Sequence, residues 1–176
     1  MPLFRGRQPE ASIWRRFRSG LDSFTFVEDD GYFTAHVVAT AERVADLLHA
    51  LTEELAPAVD VVVEDLRSGR RWRGERLALP DVRETLARLK IPVATYAGVE
   101  IAVYTGEDQL TLTPELELYL YARTDRWLYL LLGKGLIESD RVSGHAWRLR
   151  PEDLDPAPEL ADVLARAADQ LGLSEL

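Results

Sequence analysis

Cysteine is absent from this chain of 176 residues and methionine occurs once, so neither a disulfide framework nor a thiol nucleophile is open to it. Long apolar runs are missing too. The longest, Trp127 to Leu132, is far short of the roughly 20 residues that span a bilayer, so no membrane role is expected. The start, Met1-Pro2-Leu3-Phe4-Arg5, shows no apolar stretch of signal-peptide length, and the cytoplasm is the expected location. Positive charge is scarce: 21 basic against 30 acidic residues leave a net charge of −9, which speaks against general nucleic-acid binding.

That charge is unevenly placed. Residues 1–20 carry Arg5, Arg7, Arg15, Arg16 and Arg18 against Glu10, a local +4 that leaves −13 for the rest. With Ile13, Trp14 and Phe17 among the arginines, the stretch reads as a short basic amphipathic helix, suited to the chain's own acidic body or to an acidic partner.

The length suits a single domain, residues 1–176, with a basic N-terminal segment over 1–20 and a C-terminal helix within 151–176 after a proline-bearing connection. Phe24–Val27 and Tyr32–Ala39 alternate around Glu28-Asp29-Asp30-Gly31, a hairpin whose Asp-Gly suits positive φ. Val44, Leu47, Leu48, Leu51 and Leu55 then form one helical stripe behind Thr40 as N-cap. Val59–Leu66 and Arg71–Ala78 read as a second hairpin. Pro80-Asp81 opens a helix that Pro92 is expected to close, and Val99–Tyr104 follows as a strand.

Residues 32–104 thus run strand, helix, strand, strand, helix, strand, the order of a ferredoxin-like layout. The fold class is α+β: a mainly antiparallel sheet with helices packed on it, extended by a further hairpin and a C-terminal helix. That hairpin is expected from Glu115–Ala122, which alternates strictly, and Trp127–Leu132, four residues later. Thr113-Pro114 could instead start a helix, which leaves 114–125 as strand or helix; the alternation favours strand. Leu160, Val163, Leu164, Ala167 and Leu171 mark the last helix, with Gly172 as its stop.

No reaction is written in these residues, and no cofactor, metal or catalytic residue is assigned. His36 and His49 lack ligand partners at metal spacing, and His145 in Ser143-Gly144-His145 is a weak loop candidate. Glu115 and Glu117 read as a solvated carboxylate pair on one strand face. Gly133-Lys134-Gly135 lacks the spacing of a phosphate loop.

Two surfaces remain. Tyr104, Tyr119, Tyr121, Trp127 and Tyr129 would form an aromatic sheet face, and such residues are enriched where proteins meet. Arg67, Arg70, Arg71, Trp72, Arg73 and Arg76 would form an anion or partner patch, or simply a charged edge that deters aggregation. The first expectation is therefore a non-catalytic domain that binds a protein partner or itself through the aromatic face. The alternatives are a small-ligand site or enzyme in a cleft of Tyr119, Trp127, His145 and arginines, and nucleic-acid binding through the arginine hairpin.

Overall fold

The computed structural model describes residues 22–142 and 148–176; the basic segment and His145 lie outside them. The chain forms β1 (Ser23–Asp29), β2 (Tyr32–Val38), α1 (Ala41–Leu51), β3 (Ala58–Asp65), β4 (Arg70–Ala78), α2 (Leu79–Tyr96), β5 (Val99–Tyr104), β6 (Asp108–Leu112), β7 (Leu118–Ala122), α3 (Arg126–Gly133), β8 (Ile137–Glu138), α4 (Pro158–Leu171) and β9 (Ser174–Glu175). The strands make one sheet in the order β8-β1-β2-β7-β6-β5-β3-β4-β9, antiparallel throughout except at β8–β1. The class is α+β. No helix among the described residues is long and apolar enough to cross a membrane.

Alternation decides which side of this sheet is dry. Phe24, Ala35, Val37, Val61, Val63, Ile101, Val103, Leu110, Leu112, Leu118, Leu120 and Ala122 all enter one core. The helices supply its other half through Val44, Leu47 and Leu48 of α1, Val82, Leu86 and Leu89 of α2, and Leu160 and Leu164 of α4. Val38, Val62 and Ala102, on the opposite strand faces, are buried but stay outside that cluster. The helices of the described residues therefore pack on one side.

Local signals hold well. The first hairpin turns at Asp30 and Gly31, with φ of 50° and 79°, the two positive angles a tight turn of this kind requires. Gly172 ends α4 in the left-handed conformation at φ 64°.

Three expectations change. First, the element order over 32–104 holds, but the sheet is not laid out as ferredoxin-like. β2 sits between β1 and β7, with three strands separating it from β3. Only β4, α2 and β5 complete a split βαβ unit, with β3 between the two parallel strands. Second, Pro92 lies inside α2, which continues to Tyr96. Third, Trp127–Leu132 is helix α3 and not a strand, so the expected hairpin with Glu115–Ala122 does not exist.

The run was short enough to satisfy either period, and burial shows which won: Trp127 and Leu131, four apart, are both fully buried, while Tyr129 between them is 65% exposed. Trp127 also donates its indole N–H to Asp108 at 3.0 Å, and Arg126 donates to Asp108 and to the Glu54 carbonyl. β7 itself is Leu118–Ala122, preceded by a turn at 114–116 in which Leu116 takes φ 62°. Pro114 starts neither helix nor strand.

Replacing Trp127 with alanine should therefore cost about 4 kcal/mol, as for a buried aromatic in a packed core. Tyr129→Ala should cost under about 0.5 kcal/mol. Urea unfolding of both variants checks this; similar costs at the two positions would restore the strand reading.

Candidate functional site

The strand register sets in rows the side chains of the face that carries no helix among the described residues, called the helix-free face below. Thr25, His36, Tyr119, Thr111, Ala102, Val62 and Arg73 stand opposite one another across β1, β2, β7, β6, β5, β3 and β4. Toward the β1–β2 turn runs a second row, Val27, Thr34, Tyr121, Gln109, Tyr104 and Asp60. Glu117, Glu100 and Glu64 lie on the opposite flank of the first row. Tyr121 is 48% exposed, Tyr32 51% and Val27 56%. The face mixes polar and aromatic side chains with Val27, Val38, Val62 and Ala102, the last three of them buried.

Of the five residues expected on an aromatic face, Tyr104, Tyr119 and Tyr121 are brought together on it. Trp127 and Tyr129 are not. Both belong to α3, with Trp127 in the core on the other side of the sheet and Tyr129 on the outer side of the helix. The face instead gains Tyr32, Thr34, His36 and Gln109.

His36 is the residue that sequence reasoning undervalued. Its ring stacks on Tyr119 with centroids 4.4 Å apart and planes 7° from parallel, and its Nε2 lies 3.4 Å from Glu117 Oε2. Alternation along β2 already put His36 with Tyr32 and Thr34. Only the long-range pairing of β2 with β7 puts it beside a tyrosine and a carboxylate.

The expected solvated pair Glu115 and Glu117 is corrected as well, because each is only 3% exposed. The turn before β7 folds both under neighbouring chain. Glu115 Oε1 accepts the Leu149 backbone N–H at 3.0 Å, with Arg148 Nη1 3.8 Å from its other oxygen. Glu100 also lies on this face, half-buried. Its carboxyl is pushed above the ordinary range by burial and then by the charges of Glu64 and Glu115, with Arg71 working against them.

The arginine patch does not survive as one surface. Arg67 turns inward and donates to the carbonyls of Ala97 at 2.6 Å, Tyr96 at 2.7 Å and Asp155 at 2.8 Å. It thereby caps the C-terminus of α2, where unpaired carbonyls favour a cation. Gly98 lies against the same guanidinium at φ 76°, with space for no side chain.

Trp72 is buried in the core at 4% exposure, with the Arg70 guanidinium 4.7 Å above its ring. Arg70 also makes two bonds to Glu175 at 2.8 and 2.9 Å, which hold β9 against the β4 edge. Arg73 pairs with Glu75 at 2.7 Å, Arg71 approaches Glu64 at 4.0 Å, and the Arg76 backbone N–H binds Asp60. These arginines largely serve the fold.

Among the described residues no group of three His, Asp or Glu side chains could hold a metal ion. A cavity between α2, α4 and the sheet is walled by aliphatic side chains and Thr85, and offers no chemistry.

Arg67→Ala should lower stability by about 2 kcal/mol, since it strips charge-assisted bonds from part-buried carbonyls, whereas Arg73→Ala should stay within about 0.5 kcal/mol. Denaturant midpoints of the two variants measure the difference. Glu100 gives a pH-dependent case. Because its folded carboxyl holds a proton more tightly than the unfolded one at 4.5, it costs the protein stability as pH rises through the folded value. Glu100→Gln should raise the unfolding midpoint at neutral pH and leave it unchanged in acid. An equal effect at both pH values would contradict this assignment.

No family model matches this chain, and neither the curated proteins nor the solved structures contain a match to it.

Proposed function

We propose that this chain is a non-catalytic protein-interaction domain that presents the helix-free face of its sheet to a segment of protein. The observation that carries the reading is the one-sidedness of the fold among the described residues: their helices cover one face, while the other offers Tyr32, Thr34, His36, Tyr104, Gln109, Tyr119 and Tyr121 across adjacent strands. Tyrosines stiffened by neighbouring strands supply contact area at small entropic cost, and the threonines and glutamine supply hydrogen bonds. Acidic side chains on the same face favour a basic segment.

The other two readings lose their residues. For a cleft of Tyr119, Trp127, His145 and arginines, Tyr119 and Trp127 stand on opposite sides of the sheet, which speaks against one site holding both, and His145 lies outside the described residues. The arginine hairpin spends Arg67 and Arg70 on internal partners, which leaves little for nucleic-acid phosphates.

Selection from a displayed library of random peptides against the purified chain tests the proposal, with counter-selection on a Tyr119→Ala/Tyr121→Ala variant. Peptides carrying arginine and an aromatic residue should be enriched and should lose binding to the variant. Enrichment of peptides indifferent to both tyrosines would place the interaction elsewhere.

A further inference from the structure

We infer that the β4 edge is a strand-accepting site for an extended acidic segment of another protein, and that residues 173–176 are its internal stand-in. The site lies on a different border of the sheet from the helix-free face. β4 spans nine residues, Arg70–Ala78. Among the described residues its outer side pairs with β9 at Trp72 and Arg73, and the Leu176 N–H donates to the Arg71 carbonyl at 2.9 Å. From Gly74 onward that side carries no strand among the described residues. An edge left bare over such a length is a template for another chain.

The stand-in shows what the edge selects. Glu175 stands opposite Trp72, and continuing the register sets Leu173 opposite Gly74, both on the core side of the sheet. Gly74 leaves the space that Leu173 takes, since a Cβ there would stand 2.5 Å from Leu173 Cδ2. Leu173 in turn walls the aliphatic cavity beside Leu86 and Leu171. Two residues on, Glu175 accepts two bonds from Arg70, whose guanidinium lies over the Trp72 ring. The pattern is a leucine, a spacer and a carboxylate, read by a planar guanidinium that an aromatic ring steadies.

Little holds the stand-in. It makes two ladder pairs, one part-buried leucine contact and one ion pair whose partners are each about half exposed. Exposed ion pairs contribute little. Arg71 and Arg73 reach Glu64 and Glu75 through pairs equally open to solvent, so carboxylates on a longer segment exchange with them readily. A partner segment that carries the same pattern and continues past Gly74 gains ladder bonds that 173–176 do not make. Gly172, left-handed at φ 64°, is the joint about which 173–176 leave the edge.

The probe is a fluorescein-tagged peptide, Thr-Val-Thr-Leu-Ser-Glu-Leu-Glu, titrated by anisotropy into the full chain. Ser174→Pro/Glu175→Ala removes the N–H that the register aims at Arg73 and the carboxylate on Arg70, and melting curves confirm that the variant folds. The peptide should bind this variant at least about tenfold more tightly than the unchanged chain, because the competing segment no longer holds the edge. Adding Arg70→Glu should abolish that binding, and a peptide with lysine in place of the first glutamate should restore it. Tyr119→Ala/Tyr121→Ala should leave it unchanged, which separates this site from the helix-free face.

Equal affinity for the unchanged chain and the Ser174→Pro/Glu175→Ala variant overturns the inference and makes 173–176 a permanent strand. Binding that ignores Arg70→Glu overturns the assigned site. If the variant sediments as a dimer that the peptide does not break, the edge pairs with a second copy, which overturns the choice of partner.

Discussion

The structure depends on one constraint: every strand that enters the core does so with alternate side chains, and the helices of the described residues cover one of the two faces thus created. Phe24, Val37, Leu118, Leu110, Val103 and Val61 stand on one side because the strands pair in register across most of the sheet. A slip of one residue in β2 or β7 would turn Val37 and Leu118 outward and carry His36 and Tyr119 into the core. The same alternation that builds the core therefore builds the polar face. Core and candidate site are two sides of one register.

The rest of the chain closes what that sheet leaves open. Arg67 ties α2 to the segment at Asp155, Asp108 anchors α3 through Trp127 and Arg126, and Arg70 holds the C-terminal strand on the β4 edge. Arg67 is spent on carbonyls at the end of α2, where backbone groups lack helical partners, while Asp108 and Arg70 make their bonds to side chains. Residues that look like a functional patch in the sequence turn out to be fasteners for this reason. An arginine beside a turn has carbonyls within reach before it has a ligand.

What the sequence made legible was local. The α1 and α4 stripes and the Asp30-Gly31 turn depend on residues a few positions apart, and they stand where the pattern placed them. The six apolar residues from Trp127 had too little length to separate period two from period 3.6, and the decisive fact, the bond to Asp108, lies 19 residues away. The outer face was half readable: Tyr104, Tyr119 and Tyr121 belong to one meander, on β5 and β7 with β6 between, but Tyr32, Thr34 and His36 arrive from a strand some 80 residues earlier. Burial of Glu115 and Glu117 was invisible because the residues that cover Glu115 come from after α3.

The central claim is that the helix-free face is where this protein meets another segment of protein. Amide chemical shifts followed during titration with an arginine- and tryptophan-bearing peptide test it most directly. The account predicts changes at alternate residues of three strands, Thr34 and His36, Tyr119 and Tyr121, Gln109 and Thr111, with α3 and α4 silent. Changes gathered on Tyr129 and Leu132 of α3, or on Ile91 of α2, would contradict it.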